Sequence, residues 1–92
     1  MTPDKIIEST SKVTKIPVPG IQGMSRVPDY CNARYIAIQL VHELTGIGPT
    51  DIGKHFNRNR VTIYSALKRA NKLFADDADY RRTYKLVRKE IA

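Results

Sequence analysis

The chain is short and basic: its 92 residues include 16 lysines and arginines against nine acidic residues, and its formal net charge is +7. This length supports one modest hydrophobic core, so we expect a single domain over residues 1–92. The charge favours a polyanion such as nucleic acid as the partner, the single cysteine excludes an internal disulfide, and no apolar run reaches the ~18 residues of a membrane span.

Residues 1–28 are expected to form a first helix followed by an irregular loop. Thr2 can cap a helix that starts with Pro3, a residue suited to the first helical position. The serines and threonines that follow are poor helix formers, so the pattern predicts a short or frayed helix. Three prolines and two glycines within residues 16–28 then predict a loop, with Arg26 near its end.

Residues 29–46 carry the clearest helical pattern in the sequence. Asp29 can cap the start of this helix, and Gly46 can end it. The apolar residues recur at the spacing of one helical face. They are Ala33, Ile36, Ala37, Leu40, Val41 and Leu44. This segment is therefore predicted to be the central helix of the core.

Two further helices are predicted within residues 49–75, and a last one within residues 77–92. The first of them is short, because Asn57 and Asn59 supply turn and capping groups directly after Phe56. A longer helix follows from about Arg60. The last helix has acidic residues in its first turn and basic residues in its last turn, which suits the helix dipole. The chain as a whole predicts an all-α fold of about five helices.

A short helix, a brief turn and a longer helix form the helix-turn-helix pattern, whose second helix enters the major groove of DNA. No acidic residue occurs between Ile52 and Ala75. Arginine can pair with guanine, asparagine with adenine, and threonine or valine can contact the thymine methyl group. The predicted base-reading residues lie at the start of the longer helix: Arg58, Asn59, Arg60, Val61, Thr62 and Ser65.

Basic residues around this pattern are predicted to contact phosphates, which fix the orientation of a protein on DNA without reading its sequence. These residues are Lys54, Lys68, Arg69 and Lys72. Tyr64 flanks the reading positions and is expected to touch the sugar-phosphate backbone. The other tyrosines lie at apolar positions, so we expect them in the core or at its rim rather than stacked on single-stranded bases.

The run ARYIAIQLVHELTGIGPTDIGKHFNRNRVTIYSALKR, residues 33–69, resembles the C-terminal DNA-binding domain of the bacterial replication initiator family DnaA. The likeness rests on a helix that ends in HELTG, on the DIG that opens the short helix, and on RNRVTIYSA. The motif RNRVTIYSA occupies the position of the family signature G-R-D-H-T-T-V-L-H-A. With a gap of one in the turn, the likeness extends over nearly the whole chain. It implies a Trp-repressor-like helical bundle with an extended helix-turn-helix.

The resemblance also implies roles for residues of the signature. Arg58 matches the signature arginine, and Thr62 matches its second threonine. Asn59, Arg60 and Val61 replace three signature residues in the reading position. These replacements bear on whether the family's usual box sequence is recognised.

Four residues outside the signature fall at family contact positions. Arg26 falls near the loop arginine that enters the minor groove in the family. Arg34 and His42 fall where the family has residues that contact phosphates, and Thr50 lies near a contact at the start of the short helix. The resemblance therefore implies a second set of DNA contacts beside the reading helix.

The family's ATPase module is not expected, because the chain contains no G-x-x-x-x-G-K-[ST] loop. The resemblance implies a stand-alone module that binds double-stranded DNA in the regulation of replication initiation or transcription, in a bacterium, a phage or a mobile element. We expect such a protein to be cytoplasmic and associated with the nucleoid.

Two alternatives stay open. A sigma-factor segment that reads promoter elements shares the I-G-K-x-F turn. A helical adaptor that docks on a replication or transposition protein could also carry an incidental basic face, and an apolar surface patch would favour it.

No catalytic, metal or cofactor site is predicted. His42 and Glu43 begin an H-E-x-x-H pattern, but Gly46 occupies the position of its second histidine. Adding His55 and Cys31 leaves too few ligands at a usable spacing for zinc. The acidic cluster before the last helix has a simpler role in starting that helix. We therefore expect a protein that is not an enzyme and binds no small-molecule substrate.

Overall fold

Six α-helices and no strand make up the structure, a computed structural model that describes all 92 residues. In chain order the helices are α1 (Pro3–Thr14), α2 (Val18–Gln22), α3 (Pro28–Thr45), α4 (Pro49–Phe56), α5 (Arg60–Asp76) and α6 (Ala78–Ile91). The predicted all-α class is confirmed, with one helix more than expected. No helix combines the length and the hydropathy that crossing a bilayer would require.

Helix α3 is the centre of the fold, because it packs against each of the other five helices. Five of the six residues on its predicted apolar face are at most 1% exposed, and the sixth, Leu44, packs against the core from a partly buried position. The surrounding helices also bury Ile38 and Gln39, which lie outside the predicted face. The prediction of a central core helix is therefore confirmed.

Proline and glycine set the two ends of α3. The helix begins at Pro28, whose missing N–H costs nothing there, and Val27 is its cap residue. The predicted cap at Asp29 is wrong, because Asp29 lies inside the first turn, where its charge suits the helix dipole. Gly46 ends the helix as predicted, in a left-handed conformation with a φ of 73°.

Helix α1 is more regular than the sequence predicts. Ile6 and Ile7 are at most 1% exposed, and the helix packs against both α3 and α6. Thr10 is a poor helix former, but it is completely buried and its hydroxyl donates to the carbonyl oxygen of Ile6, 2.8 Å away. Packing of the apolar face outweighs the weak helix propensity here. The prediction of a short or frayed helix is therefore wrong.

The segment 16–28 is not irregular throughout, because it contains α2. Pro19 lies in the first turn of α2, where proline fits a helix, and Ile21 is completely buried. The prediction of a loop over the whole segment is therefore wrong. The irregular part that remains between α2 and α3 is residues 23–27, which we call the 23–27 loop.

Helix α6 is held to α3 by hydrogen bonds as well as by apolar packing. Asp77 caps the helix, and its Oδ1 accepts the N–H of Tyr80 at 3.0 Å. The hydroxyl of Tyr80 donates to Oε1 of Gln39, also at 3.0 Å, in the interior. The hydroxyl of Tyr84 donates to the carboxylate of Glu43. The predicted start of the last helix is confirmed.

Candidate nucleic-acid interface

Helices α4 and α5 form the predicted pair of a short helix, a turn and a longer helix. Helix α4 ends at Phe56, and its cap residue Asn57 takes a left-handed conformation with a φ of 57°. Asn59 caps α5: its Oδ1 accepts the N–H of Thr62 at 2.9 Å. Both asparagines thus have the turn and capping roles predicted for them.

The turn between the two helices lies directly against Gly53. The carbonyl oxygen of Gly53 accepts the N–H of Arg58 at 2.9 Å. A Cβ on residue 53 would lie 2.1 Å from the carbonyl oxygen of Arg58, a distance that no side chain tolerates. Glycine at this position therefore allows the turn to close tightly enough for α5 to pack beside α4.

One side of α5 packs into the core and the opposite side is exposed. Ile63, Ala66 and Ala70 are buried. The exposed face of α5 carries, in chain order, Val61, Tyr64, Ser65, Lys68 and Lys72. Apolar and hydroxyl groups thus precede the lysines along this face. That order matches the predicted arrangement, in which base-reading groups come first and phosphate-binding groups follow along the helix.

Only some of the predicted cations lack an acidic partner. Lys54 pairs with Asp51 and Lys72 with Asp76, each with an N–O distance of 3.3 Å. Both pairs are exposed, so each stabilises the fold by only about 0–1 kcal/mol. Three further cations of the helix-turn-helix are exposed and have no ion-pair partner: Arg60, Lys68 and Arg69. These three supply most of its uncompensated positive charge.

Arg58 does not lie on the exposed face of α5, although it was predicted to read bases. Its guanidinium donates to the carbonyl oxygens of Gly23 at 2.7 Å and Gln22 at 3.4 Å, and also to that of Phe56. Burial, together with the nearby charge of Arg34, lowers the pKa of Arg58. The structure gives Arg58 a bracing position between the turn and the end of α2, which corrects the predicted base-reading position.

Arg34 likewise faces the protein interior rather than solvent. It is 6% exposed. Its guanidinium donates to the carbonyl oxygens of Ile21 at 2.8 Å, Gly20 at 3.0 Å and Ser25 at 3.1 Å. These bonds provide donors for two carbonyl groups at the end of α2 and for one in the 23–27 loop. The expected phosphate contact of Arg34 is therefore corrected, because its donors are turned toward the backbone.

The side chain of Asn59 is also engaged in a hydrogen bond within the protein. The Oδ1 atom that an adenine contact would use already accepts the N–H of Thr62. Its capping bond therefore competes with the predicted reading role. Arg60, Val61, Thr62 and Ser65 remain exposed at the start of α5.

A groove of about 490 Å³ lies between the 23–27 loop, α3 and α5. We call it the loop groove. From the loop come Met24, Ser25 and Arg26, and from α5 come Thr62, Ser65 and Arg69. Arg34 and Arg58 also line the groove. The groove thus brings the predicted minor-groove arginine beside three predicted base-reading residues and two predicted phosphate-binding residues.

Two of the four contact positions that the family resemblance implies outside the signature lie apart from this groove. His42 is exposed in the last turn of α3, and Thr50 is exposed in the first turn of α4. Neither lines the groove. No group of three histidine, cysteine or acidic residues is arranged to hold a metal ion.

Met24 and Ser25 line the groove but were not identified from the sequence. Met24 is 73% exposed, the most of any large hydrophobic residue in the chain. The signal that could have identified it is a methionine beside Gly23 and close to Arg26, in a segment otherwise typical of a solvated loop.

Comparisons with known proteins connect this arrangement to one family. The family model described as "Bacterial dnaA protein helix-turn-helix" matches residues 3–70. Two relatives named chromosomal replication initiator protein DnaA, from Tropheryma whipplei strains Twist and TW08/27, are each 36% identical over 75 residues. The match covers 82% of this chain and 16% of each relative. Helix α6 lies beyond the residues that match the family model.

Proposed function

This chain belongs to the bacterial DnaA helix-turn-helix family, and from that premise we propose that it binds double-stranded DNA with α5 in the major groove. The observation that carries the proposal is the exposed face of α5. It begins with Val61 and Ser65, which suit base edges, and continues with Lys68, which has no acidic partner. No acidic residue in the sequence between Ile52 and Ala75 opposes a polyanion.

The loop groove supports a specific path for the DNA backbone. With α5 in the major groove and the 23–27 loop at the adjacent minor groove, the phosphate strand between the two grooves passes over the loop groove. Arg26 and Arg69 supply cationic groups there, and Thr62 and Ser65 supply hydroxyls. These groups are donors that bind phosphate oxygens in protein–DNA complexes.

The proposed division of roles follows from which side chains are free. Arg60 and Val61 read base edges, and the hydroxyls of Thr62 and Ser65 serve both the base edges and the phosphate strand over the loop groove. Lys68 and Arg69 hold phosphates with help from Tyr64. Lys54 and Lys72 add weaker phosphate contacts, because each shares its charge with an aspartate. Because Arg60 and Val61 differ from the family signature, we expect the preferred sequence to differ from the family's usual box.

The proposed biological role is control of replication initiation or of transcription. The relatives are named as replication initiators, and this chain matches 16% of their length. A DNA-binding module that occupies initiator sites or related sites would regulate the processes that start there. Use by a phage or a mobile element fits the same chemistry.

Fluorescence anisotropy tests the proposal directly. The protein is titrated against a random duplex and a duplex carrying the initiator box, each at about 50 and 200 mM salt, a range over which several phosphate contacts weaken binding by orders of magnitude. Arg60→Glu and Lys68→Glu should each reduce affinity at least tenfold. Lys85→Glu makes the same change of charge at an exposed position on α6 and should have a much smaller effect.

The outcomes separate the proposal from its main competitor. Salt-sensitive binding that Lys68→Glu abolishes and Lys85→Glu preserves supports DNA binding through α5. Binding that follows net charge alone, with equal losses in both variants, contradicts the use of α5. No binding to either duplex at about 50 mM salt contradicts DNA binding altogether and favours the adaptor.

A further inference from the structure

We propose that Met24 is an apolar wedge that enters the minor groove of bound DNA between two stacked base pairs and so bends the duplex. This inference rests on the proposed DNA binding and adds a second mode of contact to it. The ligand site it defines is a deformable base step in the minor groove beside the site read by α5.

The first observation is that the backbone beside Met24 is firmly held. The guanidinium of Arg58 binds the carbonyl oxygens of Gln22 and Gly23 on one side of Met24. That of Arg34 binds the carbonyl oxygen of Ser25 on the other side. These three hydrogen bonds hold the backbone on both sides of Met24 in place before any ligand arrives. The loop backbone that carries Met24 therefore loses little conformational freedom on binding.

The second observation is where the exposed apolar side chains lie. Six large hydrophobic residues are more than half exposed, and four of them belong to the 23–27 loop or to the first turns of α5. These four are Met24, Val27, Val61 and Tyr64. Single exposed hydrophobics need no explanation, but their concentration on the surface proposed to meet DNA does.

The third observation is the pairing of a methionine with a cation on the same short loop. Arg26 is exposed two residues after Met24 and has no ion-pair partner. Proteins that bind the minor groove combine arginine with apolar side chains, including methionine, which partly unstack a base step and kink the duplex toward the major groove. A kink in that direction would bring more of the backbone toward the loop groove and its hydroxyls.

The chemistry of the step predicts which DNA is preferred. Pyrimidine–purine steps such as TA unstack and kink most easily, and A·T-rich minor grooves attract arginine. The wedge therefore favours a TA step at the position that the loop reaches, even though Met24 makes no hydrogen bond to a base. This preference is separate from the sequence read by α5.

Two fluorescence readouts on one A·T-rich duplex with TA steps test the wedge. 2-Aminopurine beside a TA step brightens when the step unstacks, and energy transfer between dyes on the duplex ends reports bending. The native protein should increase both signals. Met24→Ala should abolish both while lowering affinity by less than about tenfold, because unstacking costs offset much of what the wedge contributes. Met24→Leu should keep both, and Leu86→Ala, at an exposed position on α6, should leave them unchanged.

Each result decides a different point. Equal signals from the native protein and Met24→Ala, or no signal from a native protein that binds the duplex by anisotropy, overturns the wedge and leaves the proposed DNA binding standing. Failure of the native protein to bind the duplex at low salt overturns both. Loss of both signals in Met24→Ala with binding retained supports the wedge.

Discussion

The α-carbon of Gly53 lies against the carbonyl oxygen of Arg58 so closely that a Cβ on residue 53 would be 2.1 Å from that oxygen. Gly53 is buried, and its neighbour across the turn is backbone, which cannot rotate away. The contact fixes how closely the start of α5 approaches α4. The orientation of the proposed reading helix thus depends on the absence of one methyl group.

Gly53→Ala should therefore destabilise the fold by about 2–3 kcal/mol, as overpacking against a rigid neighbour does. Thermal unfolding should show a fall in Tm of roughly 8–20 °C. Gly48→Ala is the control, because its Cβ meets nothing within 4 Å and its backbone does not need glycine. That variant should cost less than about 1 kcal/mol, since it changes only a helix cap. Similar Tm values for the two variants would show that the turn can open.

Arg58→Met should loosen the 23–27 loop. The carbonyl oxygen of Gly23 loses its side-chain donor and that of Gln22 keeps only Asn57, which costs about 1–3 kcal/mol where water cannot replace the guanidinium fully. Trypsin cleavage after Arg26 is the measurement, and its rate should rise severalfold. Arg58→Lys should recover little, because one ammonium cannot match the guanidinium fork. Arg60→Met is the control and should leave cleavage unchanged, since Arg60 donates no hydrogen bond to the loop.

Asn59→Ala should destabilise the protein by about 1 kcal/mol through loss of the cap of α5. Asn59→Ser keeps an oxygen acceptor for the Thr62 N–H and should restore most of that stability in urea unfolding. The same pair tests the reading role. If Asn59 acts only as a cap, Asn59→Ser binds DNA as tightly as the native protein. A stable Asn59→Ser variant that binds DNA more weakly and less selectively would show that Asn59 reads bases as well as capping α5.

Alkaline pH should destabilise the contact between α3 and α6. Burial raises the pKa of the Tyr80 and Tyr84 hydroxyls, and the Glu43 carboxylate raises both further. A raised folded-state pKa means that the stabilisation is complete below the ordinary tyrosine value of about 10 and is lost as the pH rises through the folded-state pKa. Urea unfolding at a series of pH values above and below 10 should show this fall.

Tyrosine variants identify the source of that pH dependence. Tyr80→Phe removes the bond to Gln39 and should lower stability at neutral pH by about 1–3 kcal/mol, because a buried acceptor is left unpaired. Above pH 10 its stability should fall less steeply than that of the native protein. Tyr64→Phe changes an exposed tyrosine and should follow the native curve. A Tyr80→Phe curve parallel to the native one would contradict the assignment.

The helices that pattern alone could predict are those whose packing face repeats regularly. In α5, Ile63, Ala66 and Ala70 are all buried as their spacing indicates. Helix α2 could not be predicted in this way, because its five residues hold a proline and a glycine and only Ile21 is fully buried, while Val18 packs against the core from a partly buried position. It exists because the tertiary fold buries Ile21 and because the guanidinium of Arg34 satisfies its last carbonyls.

In the candidate site, the sequence pattern likewise could not predict which charged residues face outward. Arg58 and Arg60 are two positions apart and look equally suited to a base edge, but only Arg60 is exposed. Which of two arginines turns inward depends on where unpaired carbonyl oxygens lie, and those belong to residues 22 and 23, far away in sequence. Charge patterns therefore locate a basic surface but do not separate the cations that face a ligand from those that hold the backbone.

The two bracing arginines also fix the distance between two surfaces of the protein. Because Arg34 and Arg58 join the 23–27 loop to α3 and to the turn before α5, the distance between the loop tip and the reading helix is set before DNA is met. On the proposed DNA complex, one base pair inserted between the two contacted sites would move them apart by about 3.4 Å along the axis and rotate them out of phase. The protein would then have to give up one contact to keep the other, so the proposed complex requires a DNA site of one fixed length.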